Sequence, residues 1–357
     1  MDDAVIDLSN PEAVEWYQGK LARLLEMGVG VFTADFGEAA PLTGIYRGDT
    51  SSFLEHNLYP LRYNKAVADV TREATGNGAI YARSAWAGSQ RYPLHWGGDA
   101  EITDGAMAGT LRGGLSLGLC GFSFWSHFIG GFSQTSPADL YLRWLTFGAL
   151  SSHSRCHGAP PTEPWEYGER FTGALRRIVE LRYRLIPYIY AQAALSSRDG
   201  HPMLRALFFE YPEDPTSWLV EDQYLLGTDL FVAPLMEDAP SRDVYLPPGS
   251  WIDYQDGKAY EGARWHSMRP GEVPMVMPAR DGAAIPHAEL AQSTGEIDWS
   301  SLEMKVFSSR ARAAEGLVCL PEDGELHALR LERANDGFVL VGDALQGRVA
   351  WKVVPSA

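Results

Sequence analysis

Cysteine is scarce in this chain of 357 residues. Cys120, Cys156 and Cys319 are odd in number and widely spaced, which argues against a disulfide framework and leaves no Cys-x-x-Cys metal pair. Basic charge is also short. Thirty Lys and Arg stand against 46 Asp and Glu, a net charge of −16, and no basic stripe stands out. Binding to nucleic acid or to an anionic membrane surface is thereby disfavoured. No apolar run reaches the roughly 18 residues that a membrane-spanning helix needs. The opening MDDAVIDLSN has the pattern of neither a signal peptide nor an anchor. The expected setting is reducing and cytoplasmic. What is plentiful is apolar side chain, at 45% with 11 Trp. That supplies large cores and, less often, platforms for stacking sugars.

The first part of the chain alternates strand and helix. Ala4 to Leu8 reads as a short strand, and Asn10-Pro11 as a helix start, with Asn as N-cap and Pro at the first helical position. Val14, Tyr17, Leu21, Leu24 and Leu25 then recur at helical spacing, and Gly28 sits where a terminating glycine belongs. Val29–Phe36 follows as a buried strand, completing a βαβ unit. Further helices are expected near 62–75, 102–118, 138–150 and 171–197, the last containing Pro187. Further strands are expected near 79–83, 94–96, 119–125 and 202–211. That makes about six strands before residue 211. After about residue 228 short β-like runs broken by Pro and Gly replace the helical spacing. The fold class is α/β: a partial (β/α)8 barrel over 1–220, a proximal β-sandwich over 221–290 and a distal β-rich domain over 291–357.

Two acids close strands. Asp35 ends the apolar strand in TADFGE, and Asp99 ends HWGGD after two glycines that let a ligand approach the backbone. In a barrel, strand ends of this kind point into the mouth where chemistry is done. Two carboxylates flanking a glycosidic bond suit acetal cleavage, one attacking the anomeric carbon and the other protonating the leaving oxygen. A gap of about 5–5.5 Å between them gives retention. The structural alternatives are a turn cap at Asp35 and an ordinary Gly-Gly-Asp turn at Asp99.

The segments TADFGE, YARSAWAGSQRYPLHWGGD, LRGGLSLGL, FWSHFIGGF, LSSHSRCHG and GTDLFVAPL occur in an order and spacing that resembles the C-terminal half of glycoside hydrolase family 31, close to its bacterial α-xylosidase branch. The resemblance spans roughly residues 5 to 285. It implies retaining hydrolysis of α-xylosides or α-glucosides through a covalent glycosyl-enzyme, with no metal or organic cofactor. It further implies Asp35 as nucleophile and Asp99 as acid/base. Arg83 matches an arginine that contacts sugar and nucleophile, Trp96 an aromatic wall, and His157 a histidine bonding sugar hydroxyls. Arg155 matches an arginine beside that histidine, and Phe36 a residue flanking the acceptor site. The expected partner is an oligosaccharide or small α-glycoside.

The chain departs from the pattern in three places. Thr33 stands where the α-xylosidase branch has lysine and many α-glucosidases have tryptophan. Phe128 stands where the motif carries an acid, which would leave Arg83 or Arg155 short of a partner, a costly state for a buried charge. The first strand resembles the family's third, so two barrel strands are expected from a separate N-terminal segment or a second copy, and the chain alone is expected to be a poor enzyme with exposed sheet edges. Two readings compete with hydrolysis: an α-transglycosylase that uses the same acids, and an inactive carbohydrate-binding remnant.

Overall fold

Asn10 caps helix α1 (Pro11–Glu26) as its spacing predicts. Its side-chain oxygen accepts the Glu12 N–H at 3.1 Å, and Leu21 and Leu25 form the buried stripe. The computed structural model describes residues 4–47, 50–335, 337–342 and 345–355. It falls into two compact units, Met1–Gly98 and Asp99–Ala357.

In the first unit α1 is followed by strand β1 (Phe32–Ala34), helix α2 (Ser52–Thr75), strand β2 (Ile80–Ala82) and strand β3 (His95–Trp96). The pairs β1–β2 and β2–β3 are parallel, with Thr33 opposite Tyr81 and Ala82 opposite His95. Leu21 and Leu25 of α1 and Val67, Ala68 and Val70 of α2 cover this sheet around Ala34, Ile80 and Ala82. This is the helix–strand alternation of a partial (β/α)8 barrel.

Two sequence expectations change here. Ala4–Leu8 forms no strand. The Asp7 carboxylate accepts the N–H groups of Ser9 and Arg47 and the Ser9 hydroxyl, and Asn10 N–H turns back to the Asp7 carbonyl. A polar side chain bonding its own turn competes with a strand ladder. Helix α2 begins ten residues before the expected start and runs through Pro60. Glu55, which is buried, and Arg62, which is partly exposed, form a two-pronged pair at 2.8 and 2.9 Å that straddles the proline turn.

The second unit continues with helix α3 (Asp104–Leu119), strand β4 (Trp125–Ser126), helix α4 (Ala138–Ala149), and helices α5 (Glu169–Arg184) and α6 (Ile186–Asp199). Strand β4 starts later than expected because α3 runs to Leu119, where Cys120 N–H closes the helix on the Ser116 and Leu117 carbonyls. The single helix expected over 171–197 is two, joined at Leu185. Pro187 lacks an N–H and crowds the carbonyl four residues back, which interrupts the helix. The expected last barrel strand is only β5 (Leu204–Ala206). It pairs antiparallel with β6 (Tyr224–Leu226), so it is the edge of the following sheet rather than a barrel strand.

That sheet runs in the order Ala259–Glu261, Ser250–Asp253, Pro278–Arg280, Leu230–Pro234, β6, β5. A six-stranded sheet follows, in which Ala283–His287 lies between Ser301–Phe307 and Ala313–Cys319. The β-rich C-terminal region is therefore as the loss of helical spacing predicts. Among the described residues no helix is long and apolar enough to cross a membrane.

Candidate active site

Strand β1 ends at Ala34, and the chain turns sharply at Asp35, Phe36 and Gly37. Phe36 has φ +57° and Gly37 φ +98°. A bulky residue in this left-handed region is strained by about 1–2 kcal/mol. Gly37 is fixed by space as well: a Cβ there would lie 2.5 Å from Ser84 Oγ and 3.0 Å from Tyr63 Cδ1. The turn lifts the Asp35 carboxylate to a half-exposed position, where Oδ1 accepts the Phe36 N–H at 2.8 Å.

Arg83 follows β2 directly, its N–H donating to the Ala34 carbonyl at 3.1 Å. Its side chain is mostly buried and divides between two acids. Nη1 lies 3.2 Å from Asp35 Oδ1, and Nη2 bonds the Glu38 carboxylate. The guanidinium also covers the Phe36 ring, 4.0 Å from its centroid. The structure thus brings together Asp35, Phe36 and Arg83, and adds Glu38. Both carboxylates are about half exposed, so these pairs contribute little to stability. Their effect is to fix where the Asp35 carboxylate points. Glu38 lies inside the TADFGE segment, but its partner is 45 residues away, and only the fold reveals the pairing.

Trp96 is buried, with 2% of its surface exposed, and stacks on Tyr81 at 4.5 Å between centroids and 11° between planes. Gly98, at φ +85°, leads directly into Asp99, which is exposed.

In the second unit the loop after β4 and the loop after α4 meet at Phe128 and Arg155, which form a parallel bridge, with Ile129 N–H donating to the Arg155 carbonyl at 3.2 Å. The Arg155 guanidinium lies 5.0 Å from the Phe128 ring centroid, and the His157 ring meets Phe128 edge-on at 4.8 Å. The expectation that Phe128 leaves Arg83 short of a partner is therefore corrected, because Arg83 is paired by Asp35 and Glu38. Arg155 lies against the Phe128 ring.

Arg182 of α5 adds a second hold on this loop. Its Nη1 donates to the Ala149 and Ser151 carbonyls at 2.6 and 2.9 Å, and its Nη2 to Ser152 at 3.1 Å. Burial pushes its pKa down to about 10, which still leaves it charged at neutral pH. It clamps the loop that carries Arg155 and His157. No local pattern marks it, because its acceptors are backbone carbonyls some thirty residues upstream.

The chain as a whole is similar to known proteins. The chain matches the glycosyl hydrolases family 31 TIM-barrel domain over residues 1–192 and the glycosyl hydrolase family 31 C-terminal domain over residues 200–285. It is 42% identical to an alpha-xylosidase of Emericella nidulans over 331 residues, covering 89% of this chain and 42% of the relative. It is 35% identical to the alpha-xylosidase XylQ of Lactiplantibacillus pentosus over 358 residues, covering 96% of this chain and 46% of the relative. A GH31 dextranase variant from Flavobacterium johnsoniae, solved with isomaltotriose, superposes with a TM-score of 0.86 at 27% identity, covering 94% of this chain and 45% of the dextranase. The chain spans less than half the length of each of these relatives. It belongs to glycoside hydrolase family 31.

Proposed function

We propose that the chain supplies the two carboxylates of a retaining α-glycosidase acting on α-xylosides or α-glucosides. Asp35 attacks the anomeric carbon as the glycosidic C–O bond breaks, and Asp99 donates its proton to the leaving oxygen. Asp99 then takes a proton from water, whose oxygen displaces Asp35 from the sugar and restores the α-configuration. The observation that carries this reading is the Asp35–Arg83–Glu38 arrangement at adjacent ends of β1 and β2. A carboxylate on a strained turn, aimed by a largely buried guanidinium, is what a positioned nucleophile requires. The two α-xylosidase relatives support the sugar class, and the dextranase complex supports an oligosaccharide substrate.

The test is a pair of substitutions in the active protein. Asp35→Asn abolishes turnover. Asp99→Asn lowers the rate by about 10²–10⁴-fold on substrates that need protonation, and far less in the first step on aryl glycosides with good leaving groups. A substantial rate for Asp35→Asn on an activated aryl glycoside overturns the assignment. Product analysis with and without an acceptor sugar separates hydrolysis from transfer.

A further inference from the structure

The geometry points to Phe128 as a positioning residue, whose ring orients Arg155 and His157 for the sugar. This rests on the glycosidase reading above. Phe128 is 3% exposed, whereas Arg155 and His157 each keep part of their surface open. The aromatic side chain is thus the fixed member, and the two polar side chains are the ones a ligand can reach.

Packing alone does not require an aromatic here, since a leucine would fill an apolar gap. The contacts use what only a π-system offers. A guanidinium is drawn to the ring face by its quadrupole, and the Arg155 carbon Cζ lies 5.0 Å from the Phe128 centroid. The His157 ring meets Phe128 at 64°, the edge-to-face arrangement that aromatic pairs favour. Phe132 closes the group, 5.5 Å from Phe128 and 5.6 Å from His157. The backbone adds register: the Phe128–Arg155 bridge locks the two loops together at the residues whose side chains stack. Arginine is long and rich in rotamers, and a ring that selects one of them lowers the ordering cost of meeting a sugar hydroxyl. Phe128 touches no reacting atom in this account and acts only through its two neighbours.

The test compares Phe128→Leu, which removes the ring but keeps apolar bulk, with Phe128→Tyr, which keeps the ring. Two readouts are taken. The first is the Arg155 Nε–H resonance, assigned with Arg155→Lys and expected upfield under the Phe128 ring current. The second is kcat and KM on an aryl α-xyloside. The expected result is an Arg155 signal that loses its upfield shift in Phe128→Leu and keeps it in Phe128→Tyr. With it, KM rises about 2- to 30-fold in the leucine variant at little-changed kcat, and tyrosine restores it. Should Phe128→Leu prove too unstable, Phe128→Met removes the ring with less change of shape. An Arg155 signal or KM indifferent to loss of the ring overturns the proposal, as does a tyrosine variant as impaired as the leucine one. If the wild-type protein neither binds nor turns over an α-glycoside, the glycosidase reading fails separately. The Arg155 resonance then decides by itself whether the ring holds the arginine.

Discussion

Two neighbouring glycines in the LRGGLSLGL segment should respond in opposite directions to the same substitution. Both lie inside α3, where replacing glycine by alanine favours the helix by about 0.8–1 kcal/mol. Gly113 is exposed, and a Cβ there meets no atom within 4 Å. Gly113→Ala should therefore stabilise the protein by about 0.5–1 kcal/mol. Gly114 is buried beneath Trp125, and a Cβ there would lie 1.9 Å from Cη2, 2.1 Å from Cζ3 and 2.2 Å from Cζ2 of the indole. Carbon atoms settle at about 3.5–4.0 Å, so the ring must retreat by about 1.5 Å. It has little room to do so. Trp125 is 2% exposed, its ring meets Phe147 edge-on at 6.3 Å, and Gly118 closes its Nε1 side. Overpacking of this kind costs about 1–3 kcal/mol, and expulsion of the indole would approach the roughly 3–5 kcal/mol of a Trp truncation. Against the helix gain, Gly114→Ala should lose up to about 2 kcal/mol if the indole shifts within the core and about 2–4 kcal/mol if it is expelled. Urea unfolding followed by tryptophan fluorescence reads both variants against the parent. A Gly114→Ala midpoint equal to that of Gly113→Ala would show that the indole moves freely and would refute the reasoning.

Burial holds the His95, His127 and His287 imidazoles below their ordinary value of 6.5, at about 4, about 3 and about 4, the charge of His153 adding to the effect at His127. The folded chain binds these protons less readily than the unfolded one, so stability is full above about pH 6.5. It falls as the pH drops from there toward 4, by up to about 1.4 kcal/mol per pH unit for each histidine. Urea midpoints between pH 4.5 and 8 measure the slope, and His127→Phe, which keeps the stack on Phe147 at 4.2 Å, should reduce it by one proton's share. Glu38→Gln should change stability by less than about 1 kcal/mol, because Glu38 is half exposed. It should still lower kcat/KM about tenfold through loss of a charged partner for Arg83, and parallel unfolding and kinetic measurements on that variant check both halves.

Local rules were enough for the elements whose signals are local. Asn10 and Pro11 start α1 because one side-chain oxygen and one missing N–H answer the needs of a helix N-terminus. The strands near 32, 80 and 95 fall where alternation puts them, but Ala4–Leu8 forms none and β4 starts six residues late. Leu204–Ala206 is buried throughout, Arg205 included, and three residues carry no mark of direction, so its antiparallel pairing with β6 emerges only in the fold. Pro60 lies just before an expected helix and Pro187 inside one, and the structure reverses the two. The first rides inside a helix braced by Glu55 and Arg62, and the second breaks one. At the site, Asp35 is legible from its place at a strand end and Arg83 from motif resemblance, whereas the bond from Arg83 to Glu38, the ring beneath Arg155 and the Arg182 clamp depend on residues far apart in the chain.

The two family domains meet between residues 192 and 200, yet the second unit's main core passes straight across that line. Trp144, Phe147, Leu185 and Tyr188 on one side share it with Leu204, Tyr224, Leu230, Ile285 and Phe307 on the other. The Tyr188 hydroxyl donates to the Leu226 carbonyl at 2.7 Å and accepts the Asp229 N–H at 3.1 Å. Recombination at that seam would therefore inherit half a core from each parent. An incoming C-terminal module would have to arrive with a carbonyl and an N–H already placed for a phenol it had never met. Exchange between relatives should succeed only where the crossover carries α6 along with the sheet it packs on, so the unit of inheritance here is set by the core rather than by the boundary between segments.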